Sequence, residues 1–471
     1  MARFFQGPYS MYGTNVGLEI GKRALMAQQL SLNLTGHNIA NVNTPGFSRQ
    51  SAIMKSNMPM FTTLGSLGTG VEVTEIRRLR SVFLDQQYRS ESHKLGQWGF
   101  LSQTWSQIES IYNEPDETGL SGTMDKFWNA WQDLADNPES ESARVAVREQ
   151  GIMLADSFHH LSGQLKDLRD SLNTDIGTMV QQINITSAQV ADLNQLIATA
   201  ELTGHTANDL RDRRDYLVDQ LSGWVNIGTI EQDNGSLTVL IGGMALVDGN
   251  SSLDIGLEIQ SAGSTVTSRI YFEGTSIDID RPGGVLEGLI EARDVIVVER
   301  QEELDLLAMG LVSAINEVHR AGYSLGNETG FDFFDPNTTG ADDIAVDSLI
   351  LQDVNNIAAS LNGEIGDNSN ALNLASLRES LKMQGGQATF NEYYSSMIGK
   401  IGIKSQQASN VEQNQMALLY QIENARQSLS GVSLDEEMAN MMKFQHAYEA
   451  AARVITVMDS ALDTIINRMA V

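Results

Sequence analysis

Five stretches of the chain have residue types that could do chemistry. His159-His160 sets two imidazoles side by side, as a metal pair would need. Neighbours on a helix point about 100° apart, so a solvated helix face is the plainer reading. The stretch "DFFDPNTTGADD", Asp332 to Asp343, gathers carboxylates that attract calcium. It lacks the ligand and glycine positions of an EF-hand loop and reads as a turn-rich surface loop. The stretch "DLRDRRD", Asp209 to Asp215, sets Arg and Asp within about a helical turn of each other, which predicts ion pairs within or between helices. Acid–base work by the same carboxylates would need a pocket. Neither "GLSGTMDK" nor the Gly242-Gly243 turn matches a phosphate-binding loop, and no G-x-S-x-G serine motif occurs.

The totals narrow the classes further. With 471 residues the chain has room for several domains. It contains no cysteine, which excludes disulfides and thiolate metal sites. A formal charge of -29 argues against a nucleic-acid partner, because phosphate binding needs clustered Lys and Arg. No apolar run approaches the roughly 20 residues of a membrane span, and the first residues, "MARFFQGPYSMYGTN", lack the pattern of a cleaved secretory signal. No cofactor is expected.

The elements around these stretches are mostly helical. Leu18, Leu25, Leu32 and Ile39 recur every seven residues and predict a helix from about Thr14 to Ala40. Asn41 suits its exit, through the left-handed conformation that Asn tolerates at a helix C-terminus. Thr44-Pro45-Gly46 suits a type II turn, proline presetting φ and glycine supplying positive φ. "FSRQSAIM" and "GVEVTEIRRL" read as antiparallel strands divided by turns at Gly65, Gly68 and Gly70. Helices are predicted from about Val82 to Ile111, around Phe127 to Trp131, and after Pro138, placed near a first turn. The clearest periodicity runs from Phe158 to Ala200, about 65 Å at 1.5 Å per residue. "LTGHTANDLRDRRDYLVDQLSGWV" adds a return helix.

After about Val225 short alternating runs divided by Asn-Gly, Gly-Gly and Asp-Gly turns predict an inserted β domain of six or seven strands. Helix returns after Gly284. A region rich in Gly and Asn follows, from about Gly322 to Gly386. The last part has one helical stripe from Tyr394 to Leu429, a stop at Gly431, and a capping box from Ser433 to Glu436. The final helix carries Tyr448, Ile455, Met458, Leu462 and Ile465 on an apolar stripe that extends to Met469. The expected fold class is mainly α with an inserted β domain, a long helical bundle whose N- and C-terminal helices pair as a coiled coil. Pattern alone leaves the terminal stripes open between ordinary core and an intersubunit seam.

Particular words add a resemblance. "NIANVNTPGFSRQ" resembles the N-terminal signature of flagellar rod, hook and hook-associated proteins. "NDLRDRRDYLVDQLSGWVNI", the stretch from Gly283 to Phe334 and the stretch from Ser430 to Met469 are similar to the first hook-associated proteins, at matching spacing over nearly the whole chain. Two departures stand out: extra residues "MARFFQGPYSMYG" at the start, and a middle shorter than that of longer members.

The resemblance implies a non-enzymatic structural subunit of the bacterial flagellum that joins hook to filament as a short helical ring. It implies export without a cleaved signal by the flagellar type III route. The implied partners are the hook protein, a second hook–filament junction protein, copies of the chain itself, and a dedicated export chaperone on the C-terminal helix, with no nucleic acid and no membrane. It divides the chain into a terminal assembly domain at 1-45 and 430-471, a helix-rich middle at 46-225 and 289-429, and the β domain at 226-288. Leu18, Leu25, Leu32, Ile39, Asn41, Pro45, Gly46, Tyr448, Ile455, Met458, Leu462 and Ile465 are the expected assembly residues. A hook or rod subunit is the near alternative, and a metal-dependent enzyme on a helical scaffold the distant one.

Overall fold

In the computed structural model the described residues are 13–62, 65–112, 119–202, 204–262 and 265–468, with the side chains of 13–15, 62, 259–268, 465 and 468 outside the description. Eleven α-helices run in chain order among them: α1 (Gly13–Ala40), α2 (Val82–Tyr112), α3 (Leu120–Asp136), α4 (Glu141–Glu201), α5 (Asn208–Trp224), α6 (Gly284–Glu291), α7 (Val297–Ala321), α8 (Ser348–Gln352), α9 (Ser369–Ser376), α10 (Phe390–Ser430) and α11 (Leu434–Asp463). The strands are β1 (Gln50–Ser56), β2 (Met60–Thr62), β3 (Gly65–Leu67), β4 (Val71–Arg78), β5 (Ile227–Glu231), β6 (Leu237–Ile241), β7 (Met244–Asp248), β8 (Ser251–Ser252), β9 (Ile255–Ala262) and β10 (Thr265–Phe272). The mainly helical class with a small β insert and paired end helices is the one expected.

The periodic stretch Phe158–Ala200 is part of a longer helix. α4 has 61 residues, about 90 Å at 1.5 Å each. Its expected stripe is real: Phe158, Leu161, Leu165, Leu172, Ile176, Ile183, Val190, Leu193 and Ile197 are all buried. Pro138 does not enter the first turn. It lies before the helix, and its carbonyl accepts from Arg144 Nε at 3.1 Å and Nη2 at 2.6 Å, so the guanidinium closes the turn that precedes α4.

The chain divides into two compact units. The first comprises residues 1–92, 183–254 and 417–471. It holds the antiparallel pair β1–β4, the β2–β3 ribbon, α5, the sheet β5-β6-β7-β8 and the pair α1–α11. The second comprises 93–182 and 255–416. Its core is aromatic. Phe127, Trp131, Phe333 and Phe334 meet with ring centroids 4.9–6.2 Å apart, and Trp128 stacks on Phe390 at 6.1 Å. The six strands between residues 227 and 272 form two sheets rather than one: β5 to β8 belong to the first unit and the β9–β10 ribbon to the second. Alternation and turn signals fix strands and hairpins, whereas the break between β8 and β9 depends on what each sheet packs against.

Candidate assembly interface

α1 and α11 run antiparallel. Gly17 faces Met458, Gly21 faces Ile455 and Ala451, and Asn38 faces Glu437. The close approach has a simple cause. A Cβ at Gly17 would lie 2.8 Å from Met458 Cε, and one at Gly21 would lie 2.9 Å from Ile455 Cγ1. Glycines four residues apart on α1, opposite the buried Ala451 of α11, let two helices approach more closely than leucines would allow. The buried positions of α1 are Gly21, Ala27, Ser31, Leu34, Thr35 and Asn38, mostly small or polar.

At the other end of the pair a polar node replaces apolar packing. Asn38 holds β1 as a backbone strand would: its Nδ2 donates to Gln50 O at 3.0 Å and its Oδ1 accepts Gln50 N–H at 3.0 Å. The same Nδ2 lies 3.1 Å from Glu437 Oε2. Arg49 completes the node, donating to Glu437 Oε1 at 2.8 Å and Glu436 Oε2 at 2.8 Å. Glu437 is only 2 % exposed, and a carboxylate is buried at modest cost only with such partners. The capping box forms by half. Ser433 Oγ accepts Glu436 N–H, but the Glu436 carboxylate goes to Arg49, because a charged donor outcompetes a backbone N–H.

The turn after α1 leads to a third feature. Gly46 has φ +77° and Phe47 N–H bonds to Thr44 O at 3.2 Å, which is the type II turn expected from Thr44-Pro45-Gly46. Asn41 differs from expectation. It is not left-handed; its side-chain Nδ2 instead donates to His37 O at 3.0 Å and its Oδ1 accepts from Thr44 Oγ1 at 3.1 Å. A side chain that caps the last carbonyls removes the need for a left-handed residue.

The turn then lands on α5. A Cβ at Gly46 would lie 2.7 Å from Tyr216 Cβ, and Ser48 N–H donates to Asp212 Oδ2 at 2.9 Å. Asp212, Asp215 and Asp219 form one face of α5 toward arginines from three other segments. Arg78 reaches Asp212 at 2.8 Å and Asp215 at 2.9 Å. Arg80 and Arg426 both reach Asp85 and Asp219, and Arg89 reaches Asp219 at 2.7 Å. Arg426 also lies 4.2 Å from the Tyr88 ring centroid. Burial pushes the Asp212 carboxyl up. Burial acts on Asp215 too, but Arg80, Arg214 and Arg78 outweigh it and hold that carboxyl well below the usual range. The motif "DLRDRRD" is therefore a latch between segments more than a set of pairs along one helix.

The expected assembly residues lie around this frame. Leu18, Leu25, Leu32 and Ile39 are half-buried, as are Asn41, Tyr448, Ile455, Met458 and Leu462, while Pro45 and Gly46 are exposed. Ile455 and Met458 meet α1 directly. Ile465 sits in the π turn Thr464–Arg468, and its side chain, like Met469 and the residues before Gly13, lies outside the described residues. Sequence reasoning missed Gly17, Gly21, Asn38, Glu437 and the four arginines. The G-x-x-x-G spacing of "GLEIG" was the available signal for the glycines.

The remaining chemistry-bearing stretches serve structure. His159 and His160 are exposed. Asp332 pairs with Arg320, while Asp335 and Asp343 accept backbone N–H groups that close their own loop. Among the described residues no group of His, Asp or Glu is arranged to hold a metal, and no helix is long and apolar enough to cross a membrane.

Comparison with known proteins decides the family. The chain is 35% identical over 509 aligned residues to flagellar hook-associated protein 1 of Bacillus subtilis, covering 98% of this chain and 99% of that protein. The chain belongs to the flagellar hook-associated protein 1 family. Hook-associated protein 1 of Escherichia coli is 27% identical, covering 94% of this chain and 98% of that protein. A family model described as the flagellar hook-associated protein FlgK helical domain matches residues 105–334. Two further models, the flagella basal body rod protein and the C-terminal part of the flagellar basal body rod FlgEFG protein, match 18–47 and 425–469, which are α1 with its turn and α11 with its approach. The solved flagellar hook junction protein FlgK from Burkholderia pseudomallei shares the fold: 18% identity and a TM-score of 0.65, over 73% of this chain and 100% of that one. A hook-associated protein of this family is a structural component of the flagellum, one of its axial proteins.

Proposed function

We propose that this chain joins hook to filament, its copies forming a short helical ring held by the paired terminal helices. The supporting observation is the α1–α11 pair itself. Its seam sets Gly17 and Gly21 of α1 against Met458, Ile455 and Ala451 of α11 and ends in a polar node, while Leu18, Leu25, Leu32 and Ile39 remain only half-buried. A helix that gives its glycines to its partner keeps its leucines for neighbouring subunits. An open tube uses heterologous contacts, in which one patch meets a different patch on the next copy.

In this reading residues 1-45 and 430-471 form the terminal assembly domain, 46-225 and 289-429 the helix-rich middle, and 226-288 the β part. Leu18, Leu25, Leu32, Ile39, Tyr448, Ile455, Met458, Leu462 and Ile465 carry assembly, with Asn41, Pro45 and Gly46 turning the chain outward. One end of the ring matches the hook protein and the other a second hook–filament junction protein, adapting a flexible tube to a stiffer one. The chain leaves the cell unfolded by the flagellar type III route, without a cleaved signal, after a dedicated chaperone has held the C-terminal helix. It performs no catalysis. Deleting Leu434 to Val471 tests this: the middle domains stay folded but the truncated chain is absent from purified flagella. Normal incorporation of the truncated chain would refute the proposal.

A further inference from the structure

We propose that successive copies are locked by the β2–β3 ribbon of one copy inserting into the α1–β4 groove of the next. The inference rests on the axial assembly proposed above. Its first observation is charge. Residues 56–71, "SNMPMFTTLGSLGTGV", contain no charged side chain, in a chain with 19% charged residues and a net charge of -29. Its second is exposure: Met58 and Phe61 are each 85% exposed, and Leu67 is exposed too. The described strands of the ribbon and their base are tied together. Thr69 Oγ1 donates to Met58 O at 2.6 Å, Asn57 N–H donates to Gly70 O at 2.9 Å, and Met60 pairs with Leu67.

The groove lies in the same unit, about 420 Å³ in volume, with Met26, Ala27 and Leu30 of α1 and Val71 and Val73 of β4 as its apolar lining and Arg23, Asn57 and Glu72 as its polar lining. The ribbon does not fill its own groove. Met58, Phe61 and Leu67 are exposed and none of them lines it. A protruding apolar knob and an apolar socket at different places on one surface make a heterologous contact that repeats without closing. A second copy is the fitting occupant for two reasons. An uncharged knob escapes the repulsion between chains that are both strongly acidic. The socket is also continuous with α1, the helix that carries the proposed assembly stripe.

The test replaces Phe61 with a benzophenone amino acid in the full chain, irradiates purified flagella, and identifies the partner by mass spectrometry. The expected product is a ladder of multimers, cross-linked to residues 23–30 or 71–73 of another copy. A tip-to-tip product, capture of the hook protein or the next junction protein, or an incorporated chain that yields no product would overturn the proposal. Where the position-61 variant is not incorporated, a charge pair decides. Phe61→Lys and Met26→Glu each reduce incorporation several-fold, and the double variant restores it to at least half the parental level; a double variant no better than the singles would overturn the contact. Absence of the parental chain from flagella would refute the assembly proposal rather than this one.

Discussion

Asp219 is the point at which the latch between α2, α5 and α10 is most open to attack. Its carboxylate accepts from Arg89 Nε at 2.7 Å, Arg426 Nη2 at 2.6 Å and Arg80 Nη2 at 3.4 Å, and all four side chains are at least 86% buried. In Asp219→Ala, Arg80 keeps Asp85 and Asp215, and Arg426 keeps Asp85 and Glu423. Arg89 keeps Thr229 Oγ1 at 3.4 Å, a weak acceptor for a buried cation. Removing one partner of a buried pair costs about 3–5 kcal/mol, and the surviving contacts put this case near the lower end, about 3 kcal/mol. Replacing both partners by apolar groups is far cheaper, so Asp219→Leu with Arg89→Leu should recover at least half of the loss. Native-state hydrogen exchange of the α5 amides reads the effect locally. About 3 kcal/mol corresponds to an exchange rate raised by roughly two orders of magnitude. A rise of less than fivefold in Asp219→Ala, or a double variant as labile as the single, would refute the reasoning.

Two further outcomes follow from the geometry. His319 is fully buried, its Nδ1–H donating to Phe331 O at 2.7 Å while Nε2 accepts Ala358 N–H at 2.9 Å. Burial lowers its pKa to about 4, despite the Phe331 carbonyl. The unfolded chain therefore binds the proton first: stability is full above about pH 6.5 and falls, by up to about 3 kcal/mol, as pH drops toward 4. Denaturant unfolding of the second unit across that range checks this, and His319→Gln, less stable at pH 7, shows a flatter profile. At the α1–α11 seam, Gly21→Val presses a branched side chain onto Ile455 and costs about 1–3 kcal/mol. Gly17→Ala meets only the mobile end of Met458 and gains up to about 1 kcal/mol in helix propensity. Exchange rates of the α11 amides separate the two variants, and equal effects would contradict the seam.

Much of the frame was legible because its signals are local. The periodicity of α4, the Pro45-Gly46 turn, the β1–β4 pairing and the helix at each chain end depend on residues a few positions apart. The interface was less legible. Leu18, Leu25, Leu32 and Ile39 stood out by size, yet the seam within the chain is made by Gly17 and Gly21, which a search for apolar bulk passes over. Asn38 and Glu437 are 399 residues apart, and Asp219 and Arg426 are 207 apart. No local pattern couples such residues; only the fold brings them together. Asn41 illustrates the same limit within one turn, where two ways of capping a helix suit the same residue and the surrounding hydrogen bonds choose.

Val457, on α11, is 63% exposed in the isolated chain and belongs to the pair proposed to build the tube wall. In Val457→Cys, a thiol in a chain that has no other, maleimide labelling can be compared between the free monomer and purified flagella. Rapid labelling of the monomer and at least tenfold slower labelling in the assembled state is the predicted result. Equal rates in both states would contradict an assembly built on the terminal helices.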